Sequence, residues 1–242
     1  MRRVGSATMS RTAVRRDCMT LRQQSLDDLP PLVFGEIPTT DAALVIGRIG
    51  EHEIELFESE QSDDIDSFSR QRKSEYASGR RVAHEAIKLL AGESAAVTRD
   101  GRLPVWPVAY CGSISHSREV AVALVASTGD CQGVGLDVVK KNAVSVKVGI
   151  RIMHPEEMHP STGFTDTDWR AIVFSAKESV YKAVHPLIGE FLGFRDVEIK
   201  MDESDRSFTA ATVKEGPSSK IIGAGVGFVT DFQGHWLTLF LV

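Results

Sequence analysis

Cysteine is scarce in this chain: three in 242 residues. Cys18, Cys111 and Cys131 show neither Cys-x-x-Cys nor Cys/His ligand spacing. Their scatter argues against a disulfide framework and fits a reducing, cytoplasmic setting. Long apolar runs are missing too, none approaching the roughly 20 residues of a membrane span, so no membrane role is expected. Excess positive charge is also lacking. Lys and Arg number 28 against 33 Asp and Glu, a formal net charge of -5. The molecule as a whole therefore has no electrostatic reason to bind nucleic acid, and a phosphate ligand would need a local basic patch. Residues 1–20 run against this balance, with five arginines and one acid. They lack the apolar centre of a signal peptide and are expected to be a disordered tail, with Met19 as an alternative start.

What is present is ordinary globular composition, 42% hydrophobic and 25% charged, enough for one large domain or two small ones. A helical stripe runs from Ile65 to Ala91, with Gly92 as its stop and Arg70, Arg72, Lys73, Arg80 and Arg81 along it. Thr98 to Pro107 reads as a loop. Val120–Ala126 and Gly133–Val139 read as two strands of a hairpin. A helix is predicted from Trp169 to Val184, capped from within Thr165–Asp168 and ended by Pro186. Strands are expected at Val197–Met201, Phe208–Val213, Ile221–Phe228 and Trp236–Val242. The expected class is α+β, with each half running from a long helix into antiparallel strands.

The segment Phe174-Ser175-Ala176-Lys177-Glu178-Ser179-Val180-Tyr181-Lys182 carries the chemistry. Glu178 and Lys182 lie one helical turn apart on one face. A carboxylate can hold a hard cation while ammonium groups hold phosphate oxygens; the plainer alternative is a surface ion pair. Asp137, at the end of a strand flanked by glycines, is a second candidate metal ligand. Two acids suffice for Mg²⁺, which keeps waters and borrows substrate phosphates. Gly112-Ser113-Ile114-Ser115-His116-Ser117 offers hydroxyls and an imidazole to a phosphate, but no Gly-x-Ser-x-Gly elbow for a nucleophilic serine. Gly223-Ala224-Gly225-Val226-Gly227 lacks a βαβ setting and reads as a glycine-rich strand. His154 and His159 have the wrong spacing for a helical metal pair.

Four blocks in order resemble the Sfp/EntD-type 4′-phosphopantetheinyl transferases. They are Glu75-Tyr76-Ala77-Ser78-Gly79-Arg80, Leu103-Pro104-Val105-Trp106-Pro107 leading to Gly112–His116, Gly135-Leu136-Asp137-Val138, and Phe174–Lys182. The resemblance covers roughly residues 50 to 200. It implies a fold of two pseudo-symmetric α/β halves, 21–132 and 133–242, with coenzyme A in the cleft between them. It implies transfer of 4′-phosphopantetheine from coenzyme A to a serine of an apo acyl or peptidyl carrier protein, releasing 3′,5′-ADP. Such enzymes serve siderophore, nonribosomal peptide and polyketide assembly, and a monomer is expected.

By position, the resemblance implies Asp137 and Glu178 as Mg²⁺ ligands, with Glu178 also the base. Ser115 and His116 would contact the 3′-phosphate, Arg72 and Arg80 the nucleotide end, and Lys177 and Lys182 the pyrophosphate. Arg102 or Arg99 would add a phosphate contact, and the 133–242 half would dock the carrier. The chain departs from the family where many relatives read Asp-x-Glu, because Val139 follows Asp137-Val138. That loss predicts weaker metal binding. It leaves open a coenzyme-A-binding homologue without transferase activity, or a hydrolase of nucleotide pyrophosphates.

Overall fold

The computed structural model describes residues 22–30, 41–50, 56–61, 63–158, 163–202 and 204–242. The tail at 1–20 and His159 lie outside them. In chain order the elements are β1 (Arg22–Ser25), β2 (Ala42–Arg48), α1 (Asp63–Asp66), α2 (Arg70–Ala91), β3 (Thr98–Asp100), β4 (Leu103–Val105), β5 (Tyr110–His116), β6 (Val120–Ser127), β7 (Val134–Lys140), α3 (Val146–Ile152), α4 (Asp166–Ile188), β8 (Val197–Asp202), β9 (Ser207–Thr212), α5 (Pro217–Ala224), β10 (Val226–Phe232) and β11 (His235–Leu241).

Two sheets, the first from strands before residue 128 and the second from strands after residue 133, pack against one another. The first has the order β1-β2-β6-β5 and the second β7-β11-β10-β9-β8. Side-chain alternation along the strands builds the layers. In β2 and β6, Leu44, Ile46, Val122 and Leu124 meet Leu136, Val138, Leu237 and Leu239 of the second sheet. The intervening Ala43, Val45, Ala121 and Ala123 turn the other way, onto Val82, Ala83 and Ala86 of α2. Small residues on both sides let that helix lie close. Helix α4 covers the outer face of the second sheet through Ile172, Val173, Ala176 and Val180. The result is helix, sheet, sheet, helix, an α+β arrangement.

Hydroxyl side chains cap both long helices. Ser69 accepts from the Arg72 N–H, and Thr165 from the Asp168 N–H. Gly92 and Gly189 close them at φ 83° and 65°, a left-handed conformation that a Cβ disfavours.

A buried carboxylate ties each helix to its surroundings. Glu60 Oε1 accepts from the Val97 N–H at 2.6 Å and bonds His84 Nε2 at 2.7 Å, while its Oε2 accepts from the Phe57 N–H. The Tyr76 hydroxyl donates to the Glu60 carbonyl. Glu157 repeats the pattern: Oε1 accepts from the Ile199 N–H, and Oε2 from the His154 N–H and from Lys177 Nζ at 2.6 Å. Here the Trp169 indole N–H donates to the Glu157 carbonyl.

Several expectations are corrected. β6 and β7 are not a hairpin: β6 pairs with β2 and β5, and β7 with β11, in different sheets. Both strands are buried almost end to end, so their patterns do not say which partner each takes. Thr98–Pro107 contains the short antiparallel pair β3–β4, turning at Gly101 (φ 57°). Helix α2 starts at Arg70, because Ser69 caps it after α1 has ended. Pro186 sits inside the last turn of α4, which runs on to Ile188; only one backbone bond is lost there. Ile221 and Ile222 belong to α5, entered through Pro217 at its first turn, and the strand begins only at Val226.

Candidate functional site

The centre of the site is set by a missing side chain. A Cβ at Gly135 would fall 1.7 Å from the Ser179 carbonyl oxygen, so only glycine lets α4 rest directly on β7. Asp137, two residues on, points to the same face of the strand, toward Lys182 on α4.

Asp137 is 6% exposed. Its Oδ1 accepts from Lys182 Nζ at 2.7 Å and from Ser115 Oγ at 2.9 Å. Its Oδ2 is buried without a hydrogen-bond partner. Lys182 Nζ also donates to Ser115 Oγ and to the Leu136 carbonyl, both at 3.1 Å. Ser115 accepts as well from the Val138 N–H, which stitches β5 of the first sheet to β7 of the second. Glu178 is half-buried, and no described residue hydrogen-bonds it. Burial pushes its carboxyl above the ordinary range; Lys182 opposes this and the charge of Asp137 adds to it.

Two cavities open beside this cluster. One, about 590 Å³, is lined by Arg102 and Trp106 at the β3–β4 pair, Ser113 of β5, and Glu178, Tyr181 and Lys182 of α4. Trp106 lies flat on Gly112, where a Cβ would come within 2.6 Å of the indole. The other, about 510 Å³, is lined by Arg72, Glu75, Arg80, Arg99, Arg102 and His116. Arg102 borders both. Arg72 lies 2.9 Å from His116 Nε2 and 3.3 Å from Glu75. Arg80 is buried at 6% exposure, stacks over the Tyr76 ring at 4.6 Å, and donates to the Thr98 carbonyl. Its Nε has no partner.

Of the residues singled out in the sequence, Asp137, Glu178, Lys182 and Ser115 are brought together, and Arg72, Arg80, Arg102 and His116 line the adjoining cavity. Lys177 stands apart. It is 2% exposed, and its Nζ donates to the Ile152 carbonyl, the Phe194 carbonyl and Glu157. All three ammonium protons are spent there, which leaves none for a phosphate. Val139 is a core residue beneath α4, paired with Trp236 across the sheet. Sequence reasoning missed Glu75 beside Arg72 and His116. It also missed Glu157, although His154 and Glu157 have capping-box spacing.

The donor set matches a hard divalent cation. A buried carboxylate oxygen without a partner and a second, unbonded carboxylate flank an ammonium group suited to phosphate. Among the described residues no group of three His, Cys, Asp or Glu gathers as a metal site. A cation held by two acids would complete its shell with water and substrate oxygens, as Mg²⁺ does.

Comparison with known proteins places this geometry in a family. Residues 60–126 match the 4′-phosphopantetheinyl transferase N-terminal domain, and residues 133–233 match the 4′-phosphopantetheinyl transferase superfamily. The chain is 30% identical over 172 residues to 4′-phosphopantetheinyl transferase PptT of Mycobacterium tuberculosis, covering 68% of this chain and 74% of PptT. The chain belongs to the 4′-phosphopantetheinyl transferase superfamily. It is also similar to 4′-phosphopantetheinyl transferase Svp of Streptomyces mobaraensis, 31% identical over 137 residues, 55% of this chain and 54% of Svp. Enterobactin synthase component D of Salmonella typhi is 33% identical over 147 residues, 54% of this chain and 56% of that protein. The match thus spans about half the length of these last two relatives. No helix among the described residues is long and apolar enough to cross a membrane.

Proposed function

We propose that this chain transfers 4′-phosphopantetheine from coenzyme A to a serine of an apo acyl or peptidyl carrier protein, with Mg²⁺, releasing 3′,5′-ADP. The observation that carries this reading is the Asp137–Lys182–Glu178 cluster opening onto an arginine-lined cavity. Phosphoryl transfer depends chiefly on positioning and on stabilising charge. The cavity bordered by Arg72, Arg80, Arg102 and His116 suits the phosphorylated nucleotide. Lys182 is placed to neutralise the pyrophosphate, with Asp137 and Ser115 fixing its ammonium group. Asp137 and Glu178 would hold Mg²⁺, which supplies charge neutralisation at the bridging phosphates. Glu178, with its raised pKa, suits a base that takes the proton of the attacking serine.

The repeated carboxylate ties at Glu60 and Glu157 support a reading of the chain as two pseudo-symmetric halves, 21–132 carrying nucleotide contacts and 133–242 the metal site and carrier docking. The naming of a relative as an enterobactin synthase component favours carriers of siderophore assembly; nonribosomal peptide and polyketide carriers share the same serine chemistry. A cytoplasmic monomer completes the reading. The test is the intact mass of an apo-carrier incubated with the chain, coenzyme A and Mg²⁺. Gain of one phosphopantetheine is expected, and Glu178→Gln should slow it about 10²–10⁴-fold. Tight coenzyme A binding without transfer would instead identify a binding homologue, and cleavage of coenzyme A without carrier would identify a hydrolase.

A further inference from the structure

Cys111 and Cys131, twenty residues apart in sequence, meet in the fold: their sulfurs lie 3.6 Å apart, both as free thiols. Cys111 lies on β5, half-buried, and is among the residues that border the 590 Å³ cavity. Cys131 is buried, in the connector that leaves the first sheet after β6 and enters the second at β7. Around them the sulfurs find only weak acceptors, the Ala126, Ser127 and Cys131 carbonyls at 3.8–3.9 Å. Both side chains pack with the core between the sheets, and no strong hydrogen bond holds either sulfur away from the other. A disulfide needs about 2.05 Å between sulfurs, so the pair has about 1.5 Å to close.

We propose that Cys111 and Cys131 form a reversible oxidative modification site, in which a hydroperoxide reaching the cavity converts the pair to a disulfide. The Cys111 thiolate attacks the terminal peroxide oxygen, the O–O bond breaks, and water or alcohol leaves after taking up a proton. Cys111 is then a sulfenic acid. The Cys131 sulfur attacks it, the S–O bond breaks, and the Cys131 proton leaves with the hydroxyl as water. Two thiols and one peroxide give one disulfide, and a dithiol reverses it. The roles follow from position. Cys111 is half-buried and borders the cavity, whereas Cys131 is buried and does not. Their ionisation agrees: the hydrogen bond from Cys131 draws the Cys111 thiol below its ordinary range against the effect of burial, while Cys131 is pushed up by that bond and by burial. The product would fasten the connector between the sheets to β5, next to Gly112 and Ser113 of the cavity wall.

The site does not depend on the transferase reading, and its test needs no carrier. The full chain is treated with hydrogen peroxide, its intact mass is measured, and cross-linked peptides are mapped. Loss of two hydrogens in a peptide joining Cys111 to Cys131, restored by dithiothreitol, is the expected result. Absence of that loss, or a cross-link from either residue to Cys18 or to a second chain, would overturn the proposal. In C131S, checked for folding by thermal melt, Cys111 should stop at the sulfenic acid and take up a 1,3-diketone probe. No adduct at Cys111 would show that it is not the attacking thiol.

Discussion

The two carboxylate ties, Glu60 in the first half and Glu157 in the second, share a plan and differ in one partner. In each, one carboxyl group gathers two backbone N–H groups and a side chain of the long helix. In each, an aromatic residue at the same spacing from that side chain donates to the acid's own carbonyl, Tyr76 before His84 and Trp169 before Lys177. The partner at the first tie is an imidazole. At the second it is an ammonium group, so Glu157 and Lys177 form an ion pair with both side chains 1% exposed. Burial draws the Lys177 pKa down while Glu157 holds it up. Lys177 and Lys182, five residues apart in one motif, therefore do different work: the first fastens α4 to the segments at 152–157 and 194, and the second faces the cavity.

The comparison can be broken most forcefully at Lys177. Lys177→Met leaves Glu157 charged, buried and unpaired, and should cost about 3–5 kcal/mol in urea unfolding. Transfer rates per folded molecule should change little; a rate loss without a stability loss would return Lys177 to the chemistry. Glu60→Gln should cost less, about 1.5–3 kcal/mol, the worth of hydrogen bonds to a charged group, since the amide keeps one acceptor oxygen.

Acid titration sharpens the contrast further. Burial raises the Glu60 pKa, but bonds from His84 and from the Val97 and Phe57 N–H groups outweigh it, so the net value is below the ordinary carboxylate range. Its stabilisation is thus full above that range and is lost as pH falls through the lowered value. Stability measured against pH should show a shallower acid limb in Glu60→Gln than in the parent chain; parallel limbs would remove Glu60 from the acid response. The smallest effect belongs to the aromatic donors. Tyr76→Phe should cost about 1 kcal/mol in the same urea assay, the worth of one hydroxyl bond to a carbonyl.

Much of this was legible in the sequence where periodicity and punctuation agree. The stripes of α2 and α4, a cap for α4 within Thr165–Asp168 and the Gly92 stop follow from local rules, whereas the Ser69 cap that starts α2 was not foreseen. The grouping of Asp137 with Glu178 and Lys182 came from the family resemblance, since an i,i+4 pair and a lone strand aspartate each have plainer uses; Asp137, expected at a strand end, lies in the middle of β7. Strand partnership was not legible. Val120–Ala126 and Gly133–Val139 satisfy a hairpin and two opposed sheets equally well, since every position is buried either way. Lys177 was misread because spacing fixes which helical face a side chain leaves from, not whether carbonyls await it there. The Cys111–Cys131 contact lay beyond any motif, created only when the connector folds back beside β5.

Gly135 has a consequence beyond close packing. Because hydrogen is the only substituent that fits between β7 and the Ser179 carbonyl, the gap between strand and helix is a fixed gauge, and it sets how far Asp137 stands from the α4 side chains. Any larger residue there would act as a shim. It would lift α4 from β7 and lengthen the Asp137–Lys182 contact without touching either side chain. The dimension that matters most to the site is thus written into a position that carries no functional group at all.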